Sequence, residues 1–182
     1  RQMCIRDRNI TGGLRILEYA RKVHADRVLY TQTWSEQGGY WGTREILSPD
    51  LPRKLIYTGD HAFYAITKTT IVEMMEHYKQ EYGLKNFVFR LPNVYLYHPD
   101  KYYYVDCVRK PIAYRYMIDR ASKGEPIEMW GNPDAFKDVL YIKDLCQMMY
   151  KALFAEVNGG TYNAGTGIRK PLREQIEGII QV

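Results

Sequence analysis

Long hydrophobic runs are missing from this chain of 182 residues: no apolar stretch approaches the ~18 to 20 residues of a membrane-spanning helix. The first residues also lack the charged start, apolar core and small-residue site of a signal peptide. Together these absences lead to the expectation of a soluble, cytoplasmic protein without a membrane partner. Cysteine is scarce. Cys4, Cys107 and Cys146 are widely spaced, odd in number and without a Cys-x-x-Cys or histidine spacing suited to zinc, so they read as reduced thiols with no metal site. The net charge of +5 comes from scattered Lys and Arg with no dense basic run, which is compatible with a small anionic ligand and argues against a nucleic-acid partner. Internal repeats are absent. No Gly-x-x-Gly-x-x-Gly or Gly-x-Gly-x-x-Gly follows a strand, so the turn that cradles a pyrophosphate at a helix N-terminus has no counterpart in the sequence.

The chain is otherwise ordinary globular material, 46% hydrophobic and 26% charged, enough for one sizeable core with a small satellite lobe. Residues 1–8 show no periodicity joining them to the segment after them. They resemble a translated sequencing-adapter string and are set apart as an artefact or a disordered leader. Over 11–24, Leu14, Leu17, Ala20 and Val23 recur at helical spacing, with Gly12 and Gly13 allowing close approach to another backbone. The apolar run 27–32 reads as a buried parallel strand that delivers Thr31, Thr33 and Ser35 to a long loop, 34–59, bordering a pocket. A helix over 60–83 and a strand over 86–91 come next, so the order helix, strand, helix, strand predicts an α/β sheet with its ligand site beyond the carboxyl ends of the strands. The tyrosine-rich stretch 95–105 is expected to be irregular, its aromatics forming a packed or interfacial surface. Beyond it the pattern predicts a helix over 107–123 and strands over 126–130 and 138–142. A helix over 144–155, a strand over 160–164 and a final helix from Pro171 still running at Val182 complete the chain.

The helix over 60–83 carries the chemistry. Tyr64 and Lys68 stand one helical turn apart, so phenol and ammonium project from one face as neighbours. A tyrosine titrates near pH ~10, and a close cation is one of the few means of lowering it toward a useful acid/base range. With 17 tyrosines in the chain, about one Tyr-x-x-x-Lys is expected by chance; the second copy, Tyr97 to Lys101, contains Pro99 and suits no helix interior. Positions 64, 68, 71, 75, 78 and 82 fall on one inward stripe, whereas Glu73, Glu76, His77 and Gln80 fall outward. A lysine on an apolar stripe needs a partner or ligand to offset its desolvation.

In order and spacing these pieces resemble the extended short-chain dehydrogenase/reductases, the NAD-dependent epimerase/dehydratase family acting on nucleotide sugars. Asn9-Ile10-Thr11-Gly12-Gly13 resembles the family's Asn-Val-x-Gly-Thr helix start, and Tyr64 with Lys68 its catalytic Tyr-x-x-x-Lys. Arg90-Leu91-Pro92-Asn93-Val94-Tyr95 is similar to its Arg-x-x-Asn-x-Tyr-Gly strand end. Trp130-Gly131-Asn132 with Lys137-Asp138 resembles the substrate-lobe pattern, and Tyr162-Asn163-Ala164-Gly165 the later Tyr-Asn-x-Gly. The resemblance implies an α/β fold made of the C-terminal part of a Rossmann-type parallel sheet with a small α/β substrate-binding lobe, and an NAD or NADP cofactor. It implies Tyr64 as the base that takes a sugar hydroxyl proton, Lys68 as the residue that lowers its pKa and holds the cofactor ribose, and Thr33 as a partner of the reacting oxygen. Asn9, Thr31, Leu91 and Pro92 would line the nicotinamide, and Asn93, Trp130 and Lys137 would face the nucleotide-sugar substrate. A homodimer is compatible with it.

The chain departs from the family pattern at several points. The Ser-Ser-x-x-x-Tyr-Gly signature is replaced by Thr31-Gln32-Thr33 with Gln37-Gly38, Leu96 stands where glycine is usual, and Lys137 replaces the substrate arginine with a single-point donor. With no phosphate cradle, the expectation is an N-terminally truncated piece: a partial Rossmann domain over 9–95 and mainly substrate lobe over 96–182, activity belonging to the parent protein. The alternative is a non-catalytic relative, a ligand-binding or regulatory module on the same fold.

Overall fold

The structure, a computed structural model, describes residues 5–43, 47–59, 61–97, 99–105, 108–129, 131–168 and 170–181. It divides into two units, Arg1–Leu91 with Lys143–Ala164 and Pro92–Ile142 with Gly165–Val182. The stretch expected to be mainly substrate lobe thus returns 143–164 to the first unit.

The first unit is organised by a three-stranded parallel sheet, β1 (Arg27–Thr33), β2 (Lys85–Leu91) and β8 (Gly159–Asn163), in the order β1-β2-β8. The register sets Thr31 opposite Phe89, Thr33 opposite Leu91 and Arg90 opposite Asn163, so the carboxyl ends of all three strands meet at one edge. Strand β2 is central, and its run Asn86 to Arg90 is buried, as a parallel strand covered on both faces requires. Helices α1 (Gly12–Lys22) and α2 (Ala62–Tyr82) supply the apolar cover: Leu17 and Ala20 of α1 pack with Ile71, Val72, Met75 and Tyr78 of α2 and with Leu84 and Val88. Gly13 is what lets the two helices close, because a Cβ there would lie 2.5 Å from Ile71 Cδ1. α2 stops where Gly83 turns left-handed at φ 71° and its amide reaches the Lys79 carbonyl. The stripe expected on α2 holds at Ile71, Met75 and Tyr78; Tyr82 is 49% exposed, stacked edgewise on His77 and Tyr78 in the last turn. Glu73, Glu76, His77 and Gln80 face outward as expected. Residues Asp7–Thr11, divided at Arg8 in the sequence reading, form a π-helical turn running directly into α1.

The second unit holds smaller pieces: a parallel pair of β3 (Asn93–Tyr95) and β7 (Val139–Tyr141), and an antiparallel pair of β6 (Phe136–Lys137) and β9 (Lys170–Pro171). Helix α3 (Ala113–Ala121) lies against α5 (Leu172–Ile180), while α4 (Ile142–Phe154) precedes β8 in the first unit. Four expectations change here. The tyrosine-rich stretch is partly regular: β4 (Tyr102–Val105) pairs antiparallel with β5 (Val108–Pro111), because consecutive tyrosines suit a pleated, half-exposed strand. The helix expected over 107–123 begins only at Ala113, since a proline at 111 disfavours helix for the residue before it. Over 126–129 no strand forms, and the last helix ends at Ile180.

β8 is seated by one glycine. Gly159 has φ 83°, and a Cβ on it would fall 1.9 Å from the Asn86 carbonyl oxygen of β2. Gly159→Ala in the complete protein is therefore expected to lose more than about 2 kcal/mol of stability, read as a lowered denaturation midpoint; an unchanged midpoint would show that β8 shifts freely along β2.

Candidate functional site

Tyr64 and Lys68 sit in the first turns of α2, both half-buried. The lysine ammonium lies over the ring of Tyr30 from β1, 4.0 Å from its centroid, and the Tyr30 hydroxyl donates to the Lys68 carbonyl at 3.3 Å. Burial pushes the Lys68 amine down to about 8, and among the described residues no carboxylate forms an ion pair with it. Burial also pushes the Tyr64 phenol above its ordinary value. That is the reverse of the lowering expected from the sequence, and the cause is desolvation: both groups are driven toward their neutral forms. The Tyr30 phenol is raised too, first by its own burial and then by Tyr64 and Glu36.

The backbone of Tyr64 is tied to the π-helical turn. Asn9 Nδ2 donates to Thr67 Oγ1 at 2.9 Å, and the Thr67 hydroxyl donates to the Tyr64 carbonyl at 3.0 Å. Thr67 is 1% exposed, so this relay is shielded from water. Thr33 ends β1 and caps the 3₁₀ turn Trp34–Tyr40: the Ser35 amide donates to its Oγ1 at 3.2 Å, and its hydroxyl donates to Ser35 Oγ at 3.1 Å. Thr31 is half-buried two residues earlier on the same strand, and Leu91 lies opposite Thr33 with Pro92 following.

Of the substrate-facing candidates, Asn93 is exposed on β3 opposite Val139, and Lys137 is exposed on β6 opposite Lys170, both within the second unit. Trp130 lies outside the described residues. Neighbouring Asp138 anchors a loop by accepting from the Thr166 hydroxyl at 2.6 Å and the Gly167 amide at 3.2 Å, and a Cβ at Gly165 would collide with it. Arg109 stacks 3.6 Å over the exposed Tyr102, while the half-buried Tyr95 and Tyr114 stack with ring centroids 4.3 Å apart. Two surface clefts, of about 260 and 390 Å³, border α2 and α1 without touching Tyr64 or Lys68.

Beneath the strand ends lies a polar network that the sequence reading did not single out. Glu36, 1% exposed, accepts from Arg90 Nε on Oε1, which Arg90 Nη2 also approaches; its Oε2 accepts from Gln32 Nε2 at 2.8 Å and faces Arg53 at 3.5 Å. Arg90 Nη1 donates to Asn163 Oδ1 at 2.7 Å, and Asn163 Nδ2 to the Leu47 carbonyl. Arg90 and Asn163, quoted above as parts of strand-end motifs, are thus structural partners in this chain. The available signal was an arginine inside an otherwise apolar strand, which demands a buried carboxylate from elsewhere.

Parallel strands with helices over them and a smaller lobe define a Rossmann-like α/β protein. Residues 4–165 match the model of the NAD dependent epimerase/dehydratase family, and the chain belongs to that family. An uncharacterized protein of Methanocaldococcus jannaschii is 25% identical over 171 residues, 91% of this chain and 45% of its own length. The UDP-glucose 4-epimerase of Thermus thermophilus, solved with NAD, is 24% identical with a TM-score of 0.73, covering 95% of this chain and 53% of that one. The dTDP-glucose 4,6-dehydratase of Bacillus anthracis str. Ames, also solved with NAD, is 22% identical with a TM-score of 0.77, covering 100% and 54%. The chain therefore spans about half the length of the relatives it matches. Among the described residues no helix is long and apolar enough to cross a membrane, and no cluster of three His, Cys, Asp or Glu could hold a metal.

Two measurements test these contacts. Arg90→Met leaves the Glu36 carboxylate buried and short of its main partner, expected to cost about 3 to 5 kcal/mol; adding Glu36→Gln is expected to recover part of it, measured by chemical denaturation of the complete protein. For Lys68, the folded pKa lies below the ordinary 10.5, so the desolvation cost is carried in full below pH 8 and relieved as pH rises toward 10.5. Tyr30→Leu removes a contact that favours the cation, so the Lys68 midpoint, followed by NMR of its side-chain carbon, is expected to fall further; Tyr30→Phe keeps the ring and leaves it in place.

Proposed function

We propose that the complete protein is an NAD(P)-dependent epimerase, dehydratase or reductase of a nucleotide-activated sugar, with Tyr64 as its acid/base group. The observation that carries this reading is the pair itself: a phenol and a half-buried ammonium one turn apart on a helix covering a parallel sheet, the ammonium lacking a carboxylate partner among the described residues. The solved relatives named for UDP- and dTDP-sugar chemistry support the substrate class.

The residues present suit one end of the cofactor. A desolvated ammonium without a counter-ion fits adjacent ribose hydroxyls, and Asn9 holds the Tyr64 backbone through Thr67. Among the described residues no glycine-rich strand-to-helix turn is available for the pyrophosphate. When bound, NAD(P) supplies a hydride acceptor. Tyr64, as the phenolate that Lys68, cationic at pH 7, stabilises, then takes the proton of the sugar hydroxyl at its phenolic oxygen and becomes the neutral phenol; Thr33 orients the reacting oxygen after releasing its bond to Ser35. Asn93, Lys137 and Trp130 are assigned to the sugar diphosphate and base. Because the Tyr64 phenol is raised by burial, a bound ligand's polar groups must restore its activity at neutral pH.

That same raised phenol, with the Thr33 hydroxyl engaged by Ser35, favours a second reading: a silent ligand-binding relative. Turnover by the complete protein separates the two, since a silent relative has none, and Tyr64→Phe tests the assignment of the acid/base group. Under the enzyme reading turnover falls by roughly 10²- to 10⁴-fold with NAD(P) affinity retained; turnover at the parental rate eliminates Tyr64 as the acid/base group.

A further inference from the structure

Gln32 occupies a position of the serine signature where this chain departs from its family, and it is 1% exposed. Every polar atom of its side chain is used. Oε1 accepts the backbone amide of Thr33 at 2.8 Å, while Nε2 donates to Glu36 Oε2 at 2.8 Å and to Thr69 Oγ1 of α2 at 3.4 Å. The amide orientation is fixed by its partners, since reversing it would set an NH₂ against the Thr33 N–H and an oxygen against the carboxylate. Glu36 is in turn immobilised by Arg90 from β2, and Arg90 by Asn163 from β8. A single side chain therefore joins the residue expected to hold the reacting oxygen to the helix that bears Tyr64 and Lys68, and to the ends of all three strands.

We infer that Gln32 is a positioning residue for the proposed reaction: clamped by Glu36 and Arg90, it fixes the Thr33 backbone, and through Thr69 it sets where Thr33 stands relative to α2. The inference rests on the enzyme reading given above. A short serine hydroxyl at position 32 would reach too little of this network, so the clamp is specific to chains carrying the Gln32, Glu36 and Arg90 set.

The test is a double-mutant cycle in the complete protein between Gln32→Met, close in size and without hydrogen bonds, and Thr33→Val. Gln32→Met alone is expected to lower kcat at least tenfold with the KM values and the NAD(P) dissociation constant within about twofold. In the Thr33→Val background the same substitution is expected to change kcat by less than about twofold, because Gln32 acts through Thr33. Effects that multiply independently, or a fall in kcat tracking only the folded fraction, would overturn the proposal. Hydrogen exchange of the Thr33 amide in the parental protein gives an answer even if Gln32→Met does not fold: protection comparable to the β2 amides is expected, and exchange at the rate of open backbone overturns the clamp. If the parental protein shows no turnover, the enzyme reading falls; if Tyr64→Phe retains parental turnover, Tyr64 falls as the acid/base group; if Tyr64→Phe is inactive and the cycle is multiplicative, only the role of Gln32 falls.

Discussion

The ion pair of Glu36 with Arg90 is the constraint on which the geometry of the strand ends depends. Removing a carboxylate and a guanidinium from water costs several kcal/mol for each ion, and mutual attraction offsets this only when the remaining donors and acceptors are also met. Here they are met by Gln32 and Arg53 on the carboxylate and by Asn163 on the guanidinium. The pair is poor evidence of extra stability, since an apolar substitute of equal volume could serve as well. Its effect is on registry. A hydrophobic filling tolerates sliding, whereas this network is satisfied in one arrangement of β1, β2, β8 and the turn after Thr33.

The loop after β1 inherits that order. The Glu36 carbonyl accepts the Lys54 amide at 2.9 Å, and the Gly39 amide returns to the Lys54 carbonyl at 2.7 Å. Gly39 suits this close approach because a Cβ would meet the Lys54 side chain at 2.4 Å. Buried Gln37 reaches the carbonyls of Ser48 and Leu51 at 3.1 and 3.3 Å, so the far part of the loop is drawn over the same edge. The glutamines that depart from the family signature thus have related roles: Gln32 faces inward to the strands, Gln37 outward to the loop.

The strands and long helices were legible because their signals are local. Short apolar runs marked β1 and β2 within a residue, and the left-handed Gly83 closed α2 where the sequence placed its end. The core stripe of α2 was legible for the same reason. Where pairing partners decide the outcome, the local signal misled. The apolar residues after 107 have helical spacing, yet Val108–Pro111 gains ladder bonds from Tyr102–Val105 and the proline disfavours helix at Lys110. Glu36 was overlooked for a similar reason: a glutamate in a polar loop looks solvated until the arginine 54 positions away is brought against it. Its burial is a property of the tertiary fold.

Tyr64 and Lys68 show how far a motif carries on its own. Spacing places two groups on a face, but protonation is set by solvent exclusion, and in this chain exclusion acts on both in opposing senses. A phenol driven up and an amine driven down leave the ammonium dependent on the π face of Tyr30 for compensation, worth about 0.5 to 2 kcal/mol. An arriving ligand that offers hydroxyls to the ammonium would lift the lysine from the ring, raise its pKa and so favour the phenolate beside it. The desolvation that works against the pair is also what would make each of those new bonds strong.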